Sequence, residues 1–165
     1  MNPANPINIT GYTPGAIGRI VEMHARYYSE YWGFGPFFEA KVATELSDFI
    51  GRFDDRKDGF WTASSNNRVQ GSIVIDGIKS DAEGAHLRWY IVSGAIHGKG
   101  IGRQLISIAM DFCRRRQYSQ VFLWTFAGLE AARHLYEKNG FKLVHEQQGS
   151  QWGTTVTEQK YVCEL

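Results

Sequence analysis

The run QVFLWTF, Gln120 to Phe126, is apolar on both alternations of a strand. A strand with one polar face can lie at a surface, whereas this one needs cover on both sides. The chain must therefore stack three layers, with helices above and below a sheet. It has the material for that, since 43% of its 165 residues are apolar, enough for one well-buried core.

The rest of the chain supplies the cover. Ile7 to Thr10 reads as a short first strand. Thr13 followed by Pro14 marks a helix start with proline at the first helical position, and Ile17, Ile20, Val21, His24 and Tyr28 keep a helical period. Gly33, Gly35 and Pro36 break it, and a second helix carries Phe38, Val42, Leu46, Phe49 and Ile50 before ending near GRFDDRKDG. GFWTAS from Gly59, RVQGSIVIDGI from Arg68 and AHLRWYIV from Ala85 are strand-like, with SNN and KSDAEG as turns, which suggests an antiparallel meander. After Gly100 the period changes: Ile101, Leu105, Ile108 and Phe112 share a helix face while Arg103, Asp111 and Arg115 point away. GLEAARHLYEKNG is a helix ended by Gly140, and strands from Phe141 and from Thr154 close the chain. The order is strand, two helices, three strands, helix, strand, helix, two strands. That is a mixed three-layer α/β domain, with seven strands and about four helices over residues 1–165.

Charge removes several function classes. Lys and Arg number 18 against 17 Asp and Glu, so the summed field gives no general attraction for nucleic acid or an anionic membrane. Arg114, Arg115 and Arg116 sit at a helix end, where they complement the dipole; a nucleic-acid module built on them is the outlying reading. No uninterrupted apolar run has membrane-spanning length, and the first twenty residues show no basic segment followed by an apolar one, so the expectation is a cytoplasmic protein. Cys113 falls in a helical pattern and Cys163 in a strand pattern, which favours buried free thiols over a disulfide or a metal site.

AIHGKGIGRQL, Ala95 to Leu105, joins the third meander strand to a helix N-terminus. Unpaired amides and the helix dipole attract anions there, and glycines let a phosphate approach without a Cβ in the way. Two familiar phosphate loops fail on spacing. The dinucleotide fingerprint needs glycine at 103, where Arg103 stands, and the P-loop needs glycine five residues before Gly98-Lys99 and Ser or Thr after it, where Ser93 and Gly100 stand. The bland reading is a glycine-rich turn from strand into helix.

HGKGIG resembles the Q/R-x-x-G-x-G/A pyrophosphate loop of the GNAT family of acyl-CoA-dependent N-acetyltransferases. HLRWYIV precedes it at the family's spacing, and LEAARHLYEKNGFKLV is similar to the later A-x-x-L-Y-x-K-x-G-F segment. LRWYIV, LWT, AARHLYEKNGF and CEL further resemble the acetyltransferase half of bacterial fusions with MarR-type DNA-binding domains, and the expectation is that these 165 residues, already spent on the acetyltransferase-like fold, hold no DNA-binding half. The resemblance implies a mostly antiparallel sheet and acetyl-CoA as co-substrate. It assigns the pyrophosphate to amides from Gly98 through Lys99, Gly100, Ile101 and Gly102 to Arg103. Ile91 and Val92 are to pair with pantetheine like an added strand, one of them also polarising the thioester carbonyl. Two departures stand out. His97 replaces Gln or Arg, and Leu129 replaces an Asn that contacts the pantetheine arm, for which Thr125 is the available substitute.

Acetyl transfer needs a neutral amine, a polarised carbonyl and a proton for the departing thiolate. Tyr136, in LYEKNGF, is the proton donor that the resemblance implies; packing in a core is its other reading. His86 is the leading side-chain candidate for the base, with Glu22, His24 and Asp76 behind it and ordered water as the alternative. HARYYSEYWGFGPFFEA carries more aromatics than one helix stripe needs, so Tyr28, Tyr31, Trp32 and Phe34 are candidates for the acceptor site, with Glu30 and Glu39 to attract a cationic amine. The expected partner is thus an amine-bearing acceptor, with no metal, no nucleic acid and no membrane, and the strand-rich C-terminal end could support a homodimer. The competing class is a non-catalytic acyl-CoA sensor, motivated by His97 and Leu129.

Overall fold

A computed structural model of the chain describes residues 6–165. Its elements are β1 (Asn8–Thr10), α1 (Ala16–Trp32), α2 (Pro36–Gly51), β2 (Gly59–Ser65), β3 (Arg68–Asp76) and β4 (Ala85–Val92). A single 3-10 turn, Gly94–Ile96, then leads to α3 (Ile101–Arg115), β5 (Gln120–Phe126), α4 (Glu130–Lys138), β6 (Lys142–Gly149) and β7 (Val156–Glu164). The seven strands form one sheet in the order β1-β2-β3-β4-β5-β7-β6, antiparallel except between β4 and β5. The mixed α/β class and the order of elements are those expected.

The helix boundaries show where local chemistry decides. The first helix begins at Ala16 rather than Pro14, because Gly15 is left-handed at φ 89° and the Ala16 N–H closes a turn on the Thr13 carbonyl at 3.0 Å. At its other end Gly33, φ 67°, lets its own N–H reach Ser29 and that of Phe34 reach Tyr28, both at 3.1 Å, a paired cap that only a left-handed residue permits. On α3 the buried stripe runs through Leu105, Ile106, Ala109, Met110 and Cys113, and Ile108 is only half-buried at its margin.

Two cores flank the sheet. Ile73, Ile75, Leu87, Val121 and Leu123 pack with α3, Tyr136 of α4 and Tyr161, while Val74, Trp89 and Phe126 pack with α1 and α2. β5 thus contributes to both, as its double apolar alternation requires. Cys113 and Cys163 are buried free thiols, and burial pushes the Cys113 thiol up to about 12, which keeps it unreactive.

Two irregularities interrupt the middle of the sheet. The β3–β4 register passes from Val74↔Arg88 to Ser72↔Ile91, so β4 carries one extra residue at Trp89, which is left-handed at φ 42°. Ser72 fixes this bulge by donating its buried hydroxyl to the Trp89 carbonyl at 2.7 Å. The second is the parallel seam. β4 and β5 pair only at Ala85↔Val121 and His86↔Phe122, and beyond that point they part.

Candidate active site

The parted strands open a cleft of about 1020 Å³ whose lining reaches from α1 and α2 through the seam to α3 and α4. One end is the N-terminus of α3. Gly98 and Gly100 hold φ of 76° and 73°, and nothing lies within 4 Å of where a side chain would start, so the loop presents bare backbone to the cleft. The first α3 carbonyl bond comes from the Gln104 N–H to Gly100, which leaves the amides from Gly98 to Arg103 without a backbone partner among the described residues. Gly98, Gly100, Ile101, Gly102 and Arg103 line the cleft, while Lys99 is exposed outside its lining. Gly102 is bare for another reason: a Cβ there would stand 2.7 Å from the Tyr90 hydroxyl.

Strand alternation orients the backbone beside the loop. The Ser93 N–H bonds the Gln70 carbonyl, so in this antiparallel stretch Ile91 spends its peptide groups on Ser72 and those of Val92 turn toward the gap. His97, the residue that departs from the loop pattern, donates from Nε2 to the Val92 carbonyl at 2.9 Å. It folds back on the strand rather than over the glycines. Thr125 is buried on β5 and Leu129 packs among the α1/α2 core residues; both line the cleft. An open left-handed glycine loop, a helix N-terminus and a free strand edge fit a diphosphate joined to an amide-bearing arm.

At the waist of the cleft, side chains from the two faces meet through the gap. Tyr136 is 7% exposed, and burial, reinforced by the hydroxyls of Tyr28, Tyr90 and Tyr161, holds its phenol far above the ordinary value. It stays a neutral donor throughout the working pH range. His24 comes from α1 on the other side and stacks on Tyr28 with centroids 6.3 Å apart. Its Nδ1 lies 2.8 Å from the Ile20 carbonyl, which can only accept, so Nδ1 carries the proton and Nε2 keeps a lone pair. Among the described residues that lone pair has no partner. Burial brings the imidazole down to about 4, so it is neutral at physiological pH.

The paired end of the seam is different. His86 stacks on Phe122 with centroids 4.4 Å apart, and burial aided by Arg88 depresses it to about 3. Asp76 is buried; burial alone would raise its carboxyl, but the Arg52 hydrogen bond, the Ile78 amide and Arg88 hold it below the usual range. Arg88 also pairs with Glu45 and lies 4.1 Å over the Trp89 ring. Glu22 is tied to Arg19, Arg26 and Arg68 away from this cleft.

Of the aromatic acceptor candidates, Tyr28 lines the cleft. Tyr31 is exposed outside it, Phe34 is buried against Tyr28 and Phe38, and Trp32 packs on Phe126. Glu30 and Glu39 are exposed and also lie outside the lining. The cleft adds Tyr90, Arg52 and Arg88, which the sequence did not single out. The placement of Tyr90 and Arg88 follows from the bulge, which gives no local signal, while Arg52 is set by the end of α2.

A family model, "Acetyltransferase (GNAT) family", matches residues 17–141. The chain belongs to that family. N-acetylaspartate synthetase of Danio rerio is 32% identical over 126 residues, covering 75% of this chain and 44% of that protein. N-acetyltransferase 8 of Rattus norvegicus is 29% identical over 107 residues, 62% of this chain and 48% of that protein. The chain thus spans less than half the length of these curated relatives. Among solved structures, a GNAT-family acetyltransferase from Staphylococcus aureus Mu50 superposes with TM-score 0.77 at 19% identity, over 97% of this chain and 99% of that one. A putative acetyltransferase of Salmonella typhimurium, determined with its cofactor acetyl-CoA, gives 0.74 at 18% identity, over 98% and 95%. Both share the GNAT fold. Among the described residues no helix is long and apolar enough to cross a membrane, and no group of three or more His, Cys, Asp or Glu is placed to hold a metal.

Proposed function

We propose that this GNAT-family chain transfers an acetyl group from acetyl-CoA to a primary amine. The observation that carries the reading is the β4–β5 gap, with bare glycine backbone at one end and, in the lining of the same cleft, a neutral phenol and an imidazole whose Nε2 has no partner among the described residues. Amides from Gly98 to Arg103 hold the pyrophosphate, Arg103 and Lys99 screen it, and the peptide groups of Val92, with Thr125 opposite, hold the arm. Bound acetyl-CoA supplies an acetyl group activated as a thioester. The Val92 amide polarises the carbonyl oxygen, His24 Nε2 takes the proton shed by the attacking amine, and Tyr136 gives its hydrogen to the departing sulfur. His24 displaces His86 as the favoured base, since His86 is stacked at the closed end among cations while the His24 lone pair is free. Tyr28 borders the acceptor.

The test is thiol release from acetyl-CoA with a panel of amines, comparing the protein with its Tyr136→Phe variant. Turnover that falls in the variant while acetyl-CoA binding persists supports the reading; an unchanged rate removes Tyr136 as donor. One observation favours a sensor instead: His97 occupies the Val92 carbonyl that the arm would use. Tight coenzyme A binding without turnover across the panel would establish that alternative.

A further inference from the structure

We infer that the acceptor amine carries a carboxylate close to its amino group, as an amino acid does, and that Arg88 and Arg52 hold that carboxylate. This rests on the acetyl-transfer reading above and names its substrate class.

The charged wall of the cleft lies beside the bulge, on the α1/α2 face. Before the bulge Leu87 faces the α3 core; after it Tyr90 and Val92 do, so the extra residue leaves Arg88 and Trp89 turned to the same side. Arg88 therefore stands next to the point where the strands part, its guanidinium held against the Trp89 ring. Every carboxylate on this wall is already matched. Glu45 takes Lys41 and Arg88, Asp76 takes Arg52 and Arg88, and Glu83 takes Lys79 with Lys160 at 4.0 Å. None is left to receive an ammonium group.

Cations remain in excess. Lys41, Arg52, Lys79 and Arg88 line the cleft against Glu45, Asp76 and Glu83, and His86 among them is neutral. Arg52 is also incompletely used: Nη2 reaches Asp76 at 2.6 Å, while Nη1 is buried with no hydrogen-bond partner. An unfilled guanidinium N–H in a net-positive wall calls for one more acceptor, and a planar carboxylate matches that geometry. Tyr28, Phe38, Trp124 and Phe126, which also line the cleft, offer apolar surface to the remainder of such a molecule.

The experiment compares matched pairs with acetyl-CoA: L-phenylalanine against phenethylamine, L-leucine against isoamylamine, and each amino acid against its methyl ester. The expected result is a kcat/KM about tenfold or more higher for the free amino acids, as a charge-assisted contact supplies. Arg52→Gln should shrink that preference at least about threefold, with melting temperature and acetyl-CoA binding read alongside to show that the variant is folded. A second measurement needs no variant: N-acetyl-L-phenylalanine should inhibit the unaltered protein more strongly than N-acetylphenethylamine. Amines or esters acetylated as fast as the amino acids would overturn the inference and leave acetyl transfer standing. No turnover with any acceptor, with acetyl-CoA binding intact, would remove the acetyl-transfer reading and this inference with it.

Discussion

The seam between β4 and β5 has two ends that treat polar groups in opposite ways. At the paired end, Asp76, Glu45 and Glu83 are each held by cations, and His86 is stacked and uncharged. At the parted end, the Tyr136 phenol and the His24 lone pair sit in buried side chains without such partners among the described residues. Buried polar groups are costly unless satisfied, so the first end holds the sheet together and the second keeps atoms free for a ligand. Substitutions at the two ends should therefore fail differently.

The largest effect belongs to the parted end. Tyr136→Phe removes one hydroxyl from a packed ring and should lower kcat by about 10² to 10³, roughly 3–4 kcal/mol at the barrier, with acetyl-CoA affinity and melting temperature nearly unchanged. Steady-state kinetics with calorimetry reads both. A stability loss matching the rate loss would erase the contrast between the ends.

Asp76→Asn probes the paired end. It leaves Arg52 and Arg88 with one uncompensated charge in a buried setting, so urea unfolding should show a loss of about 3 kcal/mol. A cost below about 1 kcal/mol would place the network among ordinary surface pairs.

His24 links the two behaviours. Its folded value, about 4, lies below the 6.5 of the unfolded chain, so between those values the unfolded state binds the extra proton. Stability should then fall as pH drops from 6.5 toward 4, with roughly 3 kcal/mol of that loss due to His24. His86, depressed to about 3, adds its own share in the same window, so His24→Gln should make the slope shallower and leave the part that belongs to His86. The same variant should cut kcat about 30-fold, near 2 kcal/mol, through the lost proton acceptor. Unchanged turnover would return the proton to ordered water.

What could be read from the sequence was what local chemistry decides. The glycines of HGKGIG, the two-faced QVFLWTF and the cap at Gly140 announced the loop, the central strand and the end of α4, and each is where expected. LRWYIV looks like a regular strand, yet Trp89 is left-handed because Ser72 and the β3 register demand it, and neither is near in sequence. That bulge decides which way Arg88 and Tyr90 face. The parting of β4 from β5 depends on strands separated by a whole helix. Aromatic spacing could not sort Tyr28 from Phe34 either: the cap at Gly33 turns the chain so that one borders the cleft and the other fills the core. The likeness to MarR-type fusion halves rests on phrases of sequence, and a fold common to the whole family cannot separate its branches.

The smallest effect bears on His97, in the loop at the parted end. Its imidazole donates to the Val92 carbonyl, the group that an incoming arm would use, so binding must break one hydrogen bond to make another. An exposed bond of this kind contributes about 1 kcal/mol or less. His97→Arg removes that competitor and places a permanent charge beside the glycine loop, so acetyl-CoA should bind about 3- to 10-fold more tightly, less so at high salt. His97→Ala separates the two contributions, because it frees the carbonyl without adding charge. If Ala tightens binding as much as Arg, the carbonyl is the controlling group; if Ala weakens it, the imidazole itself serves the cofactor and the parted end is less open than its geometry suggests.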